Sequence, residues 1–165
     1  VAPSRGLGDV YKRQALLAAI YAALTLGLAP FSYGPIQVRL SECLTLLAFC
    51  SRRWIPGLTI GCFLANVGSP FGLPDMVLGT LATFLGIWPM HRLKSPLLAS
   101  LCPVLSNGVV IGAELDFLAQ LPPDLSLGAA MAYIGAGEFL SVTILGNILL
   151  KMVLKNETCR RILVE

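Results

Sequence analysis

Residues 125–154 read LSLGAAMAYIGAGEFLSVTILGNILLKMVL. One acid, Glu138, and one base, Lys151, interrupt an otherwise uncharged run. No face of a helix built from it would be polar, so it does not read as a half-wetted surface helix. A helix that is apolar all round belongs in a core or in hydrocarbon. The run exceeds the roughly 20 residues a bilayer crossing needs. It reads as a transmembrane helix with one carboxyl near its middle and a basic end at Lys151, Lys155, Arg160 and Arg161.

Five more apolar runs lie upstream, at 15–29, 36–50, 54–67, 73–90 and 96–118. Pro30 closes the first. SRR (51–53), GSPFG (68–72), HRLKS (91–95) and LPPD (121–124) separate the others, each carrying turn or charge signals. Runs 36–50 and 54–67 are short for a full crossing, so tilted or partly buried helices are expected there. Composition agrees. The 165 residues are 56% hydrophobic and 13% charged, with a mean hydropathy of +0.78. Soluble domains are about 25% charged. The expected fold is an all-α membrane protein of six transmembrane helices.

The bases orient it. With the N-terminus in the cytoplasm, Arg5, Lys12, Arg13, Arg52, Arg53, Arg92, Lys94, Lys151, Lys155, Arg160 and Arg161 fall inside, and only Arg39 falls outside. That split follows the positive-inside rule. It predicts both termini in the cytoplasm of a multi-pass plasma-membrane protein. It also accounts for the +3 net charge without a nucleic-acid partner. Residues 1–14, VAPSRGLGDVYKRQ, are polar and non-periodic and read as a non-native leader or disordered tail. Residues 15–155 read as the six-helix domain and 156–165 as a cytoplasmic tail.

Several classes are disfavoured. The five cysteines include no C-x-x-C pair and there is one histidine, so no metal or cofactor is expected. No GxxxxGK loop is present for nucleotide hydrolysis. No nucleophile–base pair suggests an enzyme. A chain of this size has no room for its own ATPase.

What remains is a polar set threaded through the outer half of the predicted bundle. Gln37, Arg39, Glu42, Asn66, Asn107, Glu114 and Glu138 are the candidate substrate-binding residues. An ionised group at the bilayer centre costs about 2.5–3.5 kcal/mol on the insertion scale, so Glu138 needs a partner, a wet cavity or a proton. Glu42 has a simpler reading as a local surface salt bridge to Arg39, and Asp75 as a first-turn acid favoured by the helix dipole. Carboxylates with amides suit a polar, partly cationic, planar solute, and Tyr33, Phe31 or Phe71 could stack on its ring. On the first run, Ala15, Ala19 and Ala23 form one small-residue stripe and Ala18 and Ala22 another; such stripes permit close helix approach.

YAALTLGLAPFSYGPIQVRLSE (21–42), GCFLANVGSPFGLPD (61–75), LGTLATFL (78–85), SNGVVIGAEL (106–115) and GAGEFL (135–140) together resemble the QueT family. The resemblance spans about residues 15–155, although Val38 and Cys43 look atypical of it. It implies the six-helix fold of a substrate-binding (S) component of an energy-coupling factor (ECF) transporter. It implies a 7-deazaguanine queuosine precursor as ligand. Its implied partners are a transmembrane coupling protein and two cytoplasmic ATPases. In S components the alanine spacing of the first helix docks the coupling protein, which implies that role for Ala15, Ala18, Ala19, Ala22 and Ala23. The alternatives are an S component for another vitamin or nucleobase, or a non-transport membrane assembly or structural protein.

Overall fold

The computed structural model describes residues 3–33 and 37–164. Among them the chain is helical, with no strand. Helix α1 runs Pro3–Gly27, followed by the short α2, Ala29–Ser32. An extended stretch at 37–39 leads into a 3-10 helix, Leu40–Leu46, and α3, Leu47–Cys50. A 3-10 turn, Arg52–Trp54, opens α4, Ile55–Asn66. Next come α5, Leu73–Ile87, a 3-10 turn at Met90–Arg92, and α6, Pro96–Phe117. The run quoted above forms α7, Leu127–Glu138, a π-helix, Phe139–Gly146, and α8, Asn147–Leu154. Helix α9, Glu157–Val164, follows.

Among the described residues, three segments are long and apolar enough to cross a membrane: Leu73–Arg92, Pro96–Phe117 and Leu127–Leu154. The run at 36–50 departs from a regular span. Its apolar helical part, Leu40–Cys50, is mostly 3-10. Residues 34–36, which include the first residue of that run and belong to the 21–42 segment quoted above, lie outside the described residues. Helix α1 continues through residues 14 and 15 without a break. Gln14 is tied into the fold: its side-chain amide donates to the Arg53 carbonyl, and its Oε1 accepts from Gly57 N at 2.6 Å.

Small residues set the helix spacing. A Cβ on Gly61 of α4 would come within 2.8 Å of Tyr21 Cβ and 3.0 Å of Ala18 Cα, so α1 and α4 meet almost backbone to backbone. Gly72 caps α5 at φ 72°, ψ −143°, a region open essentially to glycine alone. That turn places Pro74 and Asp75 in the first turn of α5.

The bundle is inverted relative to a soluble domain. Ile20, Leu81, Leu105, Val109, Ile148 and Met152 face outward, while Glu42, Asn66, Asp75, Asn107, Glu114 and Glu138 are buried. Two apolar clusters bracket these polar groups. The larger holds Tyr21, Leu58, Met90, Val142 and Leu163, and the smaller Ala82, Ile111, Leu115 and Ile134. Trp54 Nε1 donates to the Leu163 carbonyl at 3.0 Å, which draws Arg52–Trp54 and α9 to one end of the bundle. Helix α3 also meets the Met90–Arg92 turn there. The loops and chain ends bearing most of the lysines and arginines thus share one end. Helix α6 leaves that end and, at 1.5 Å per residue, carries Asp116 about 30 Å from Pro96.

Candidate functional site

The site is built around Arg39, the base that breaks the charge pattern. Its segment lies against the last long helix at Gly137, where an added Cβ would collide with the Gln37 carbonyl oxygen. Arg39 Nε donates to the Ser32 carbonyl at 2.9 Å. Its Nη2 stands 3.8 Å from Asp75 Oδ2, and its guanidinium lies 5.4 Å from the Tyr33 ring centroid. Tyr33 is itself held by donating to the Ala65 carbonyl at 2.6 Å. Arg39 is also close enough to act electrostatically on Glu42, Glu114 and Glu138. Four buried carboxyls therefore lie within electrostatic reach of one buried guanidinium.

Glu42 is completely buried, which overturns its reading as a surface salt bridge. Its 3-10 segment packs on the π-helix and turns it inward rather than along the surface beside Arg39. Tyr21 Oη of α1 donates to Glu42 Oε1, and Thr83 Oγ1 of α5 lies 3.3 Å from the same oxygen. Cys62 Sγ stands 3.4 Å from Thr83 Oγ1 and 3.6 Å from Asn66 Nδ2. Asn66 and Asp75 converge over Gly79, where a Cβ would lie 2.8 and 2.9 Å from their polar atoms. Glu138, the last residue of α7, faces Asn107 of α6. The π-helix begins at the next residue, a wide turn of the kind often found at functional sites.

All seven candidates are buried: Gln37, Arg39, Glu42, Asn66, Asn107, Glu114 and Glu138. Contacts join Glu42 to Thr83 and, through Cys62, to Asn66, and Glu138 faces Asn107, while Glu114 and Glu138 lie within electrostatic reach of Arg39; together they form one polar layer. Gln37 stands beside it, lining a crevice of about 240 Å3 with Tyr133, Ala136 and Gly137. Asp75, read from sequence as a first-turn acid, is that and also the carboxylate nearest Arg39. Tyr21 and Thr83 were missed. The available signal was Tyr21 and Thr25, polar groups four residues apart within an apolar run; Thr25 Oγ1 meets Ser41 Oγ at 2.6 Å. Phe31 points outward, Phe71 packs on the smaller apolar cluster, and Asp116 and Asp124 are exposed.

The polar layer has a chemical sign. Glu42 Oε2, Asn66 Oδ1, both Glu114 oxygens, Glu138 Oε2 and Asn107 Nδ2 are buried without a hydrogen-bond partner among the described residues. All but the Asn107 amide nitrogen are acceptors. Buried polar atoms are nearly always satisfied, so such a set marks where a donor-rich molecule belongs.

The QueT transporter family matches residues 11–155. The chain belongs to the QueT transporter family. The Queuosine precursor transporter QueT of Lactococcus lactis subsp. cremoris (strain MG1363) is 34% identical, the match covering 79% of this chain and 83% of that protein. No solved structure gives a significant match. The QueT match covers every residue of the polar layer, from Tyr21 to Glu138. It also takes in residues 11–14, ahead of the expected domain start at 15.

The alanines of α1 divide by face. Ala18 and Ala22 are buried, with Ala18 against Gly61. Ala15, Ala19 and Ala23 are exposed.

Proposed function

We propose that the chain is the substrate-capture subunit of an energy-coupling factor importer, and that its ligand is a 7-deazaguanine queuosine precursor. The observation that carries this reading is the buried layer of unpartnered acceptors around Arg39. A guanine-like edge offers N1–H and a 2-amino group side by side, a donor pair that suits a carboxylate accepting two hydrogen bonds. With four carboxyls about one guanidinium, the site favours a ligand that also carries an ammonium group. The ligand comes to this chain from the family relative, whose name specifies a queuosine precursor.

In this reading six helices cross the plasma membrane with both termini in the cytoplasm, and the polar layer opens to the outside. The exposed stripe Ala15, Ala19 and Ala23 meets the coupling protein, which carries two ATPases. Ala18 and Ala22 support the stripe by seating α1 on α4. Calorimetry on the purified protein tests the ligand. An aminomethyl 7-deazaguanine is expected to bind with sub-micromolar affinity and a neutral 7-deazaguanine more weakly. Absence of binding to any 7-deazaguanine would overturn the ligand assignment. Co-purification of the coupling protein and ATPases from native membranes tests the partnership separately.

A further inference from the structure

A second cavity lies apart from the acceptor layer, toward the basic end. It holds about 300 Å3. Leu44, Leu46 and Leu47 wall one side, Leu149 and Leu150 of α8 the other, and Leu163 of α9 also lines it. The walls are almost entirely hydrocarbon. The acceptor layer calls for N–H donors; this cavity offers none of that chemistry. An unfilled void of this kind forfeits the dispersion contacts of every atom lining it.

Two observations identify what fills it. First, the adjoining surface of α8 is apolar and outward: Ile148 is 53% exposed and Met152 64%. In a membrane that surface meets acyl chains, so hydrocarbon is at hand. Second, the surroundings are cationic. Lys151 directly follows the wall residue Leu150, and Arg160 lies one helical turn before Leu163 on α9. Both are exposed, as are Lys155 and Arg161. None of the four has a salt bridge among the described residues, where the ion pairs are Lys12–Asp9 and Arg39–Asp75. Clustered bases beside a membrane segment attract anionic headgroups. The Trp54–Leu163 hydrogen bond fixes α9 in place, so Arg160 and Leu163 keep their positions relative to the cavity.

We propose that this cavity binds one acyl chain of an anionic phospholipid, with Arg160 and Lys151 at its headgroup. The proposal is independent of the transported ligand. It makes α9 part of a lipid site.

Native mass spectrometry of the detergent-purified protein, titrated with phosphatidylglycerol and phosphatidylcholine of equal chain length, tests it. Phosphatidylglycerol is expected to be retained at least about fivefold better at equal concentration. The double variant Lys151→Gln, Arg160→Gln is expected to erase that preference while leaving chain binding. Equal retention of the two lipids by the unaltered protein overturns the proposal. Location is read separately in a Trp88→Phe protein, which keeps Trp54 as its one tryptophan. One equivalent of phosphatidylglycerol with brominated chains should quench Trp54 fluorescence. Leu149→Trp, introduced on the unbrominated titration, fills the cavity and should abolish retention of both lipids. Unquenched Trp54, or full retention by a folded Leu149→Trp protein, also refutes the site.

Discussion

Replacing Glu138 by Gln keeps the shape and exchanges one carboxyl oxygen for an amide N–H. Glu138 is 5% exposed, faces Asn107 and leaves Oε2 without a partner. A hydrogen bond to a charged group is worth about 1.5–3 kcal/mol, against about 0.5–1.5 for a neutral one. One ligand bond weakened in this way costs roughly 1–1.5 kcal/mol, or about tenfold in Kd. If the carboxylate accepts two donors, the Gln amide presents an N–H to one of them. That pair is then lost outright, and the fall approaches about 100-fold. Folding should move the other way. Burial disfavours a charge at position 138 and Glu42 adds a like group nearby, and Gln is neutral there. The ligand-free melting temperature should therefore hold or rise. Calorimetry with an aminomethyl 7-deazaguanine reads the first effect and a thermal melt of the ligand-free protein reads the second. A Kd within twofold of the parent, with an unchanged melt, would refute the placing of Glu138 at the ligand.

Other substitutions separate binding from architecture. Tyr21→Phe takes one of two hydroxyl donors from a fully buried Glu42 oxygen and should cost about 1–3 kcal/mol of stability, measured by thermal or denaturant unfolding. Gly137→Ala forces the Gln37 carbonyl away from the last long helix and should displace Arg39, weakening ligand more than about tenfold in calorimetry while the protein remains helical by circular dichroism. Ala19→Trp, on the exposed face of α1, should leave ligand affinity unchanged and abolish co-purification of the coupling protein. Ala18→Leu should instead lower the melting temperature, because Ala18 packs on Gly61.

Much of the architecture was legible in one dimension. The apolar runs at 73–90, 96–118 and 125–154 correspond to the three segments able to cross a membrane, with ends within a few residues. Hydrophobicity and length are local properties, and the bilayer requirement is simple enough to read from them. The run at 36–50 was less legible. Its hydrophobicity matches the others, but it folds as a 3-10 helix laid on the π-helix. Its departure reflects tertiary contact, with Gly146 admitting the Cys43 backbone, where an added Cβ would lie 3.2 Å from its carbonyl oxygen.

The sequence by itself determined a helical membrane protein, the basic loops, and a short roster of polar residues too costly to leave in hydrocarbon without a use. Cost is a property of each residue, so it can be read without coordinates. Partnership is not. Only the tertiary structure decided that Asp75 rather than Glu42 stands nearest Arg39, that Tyr21 and Thr83 hold Glu42, and that Ala18 is spent inside while Ala19 faces out. Asp75 and Arg39 are 36 residues apart in sequence yet 3.8 Å apart in space. That distance is set by the close packing of helices on glycine and alanine, which no local pattern in either segment specifies.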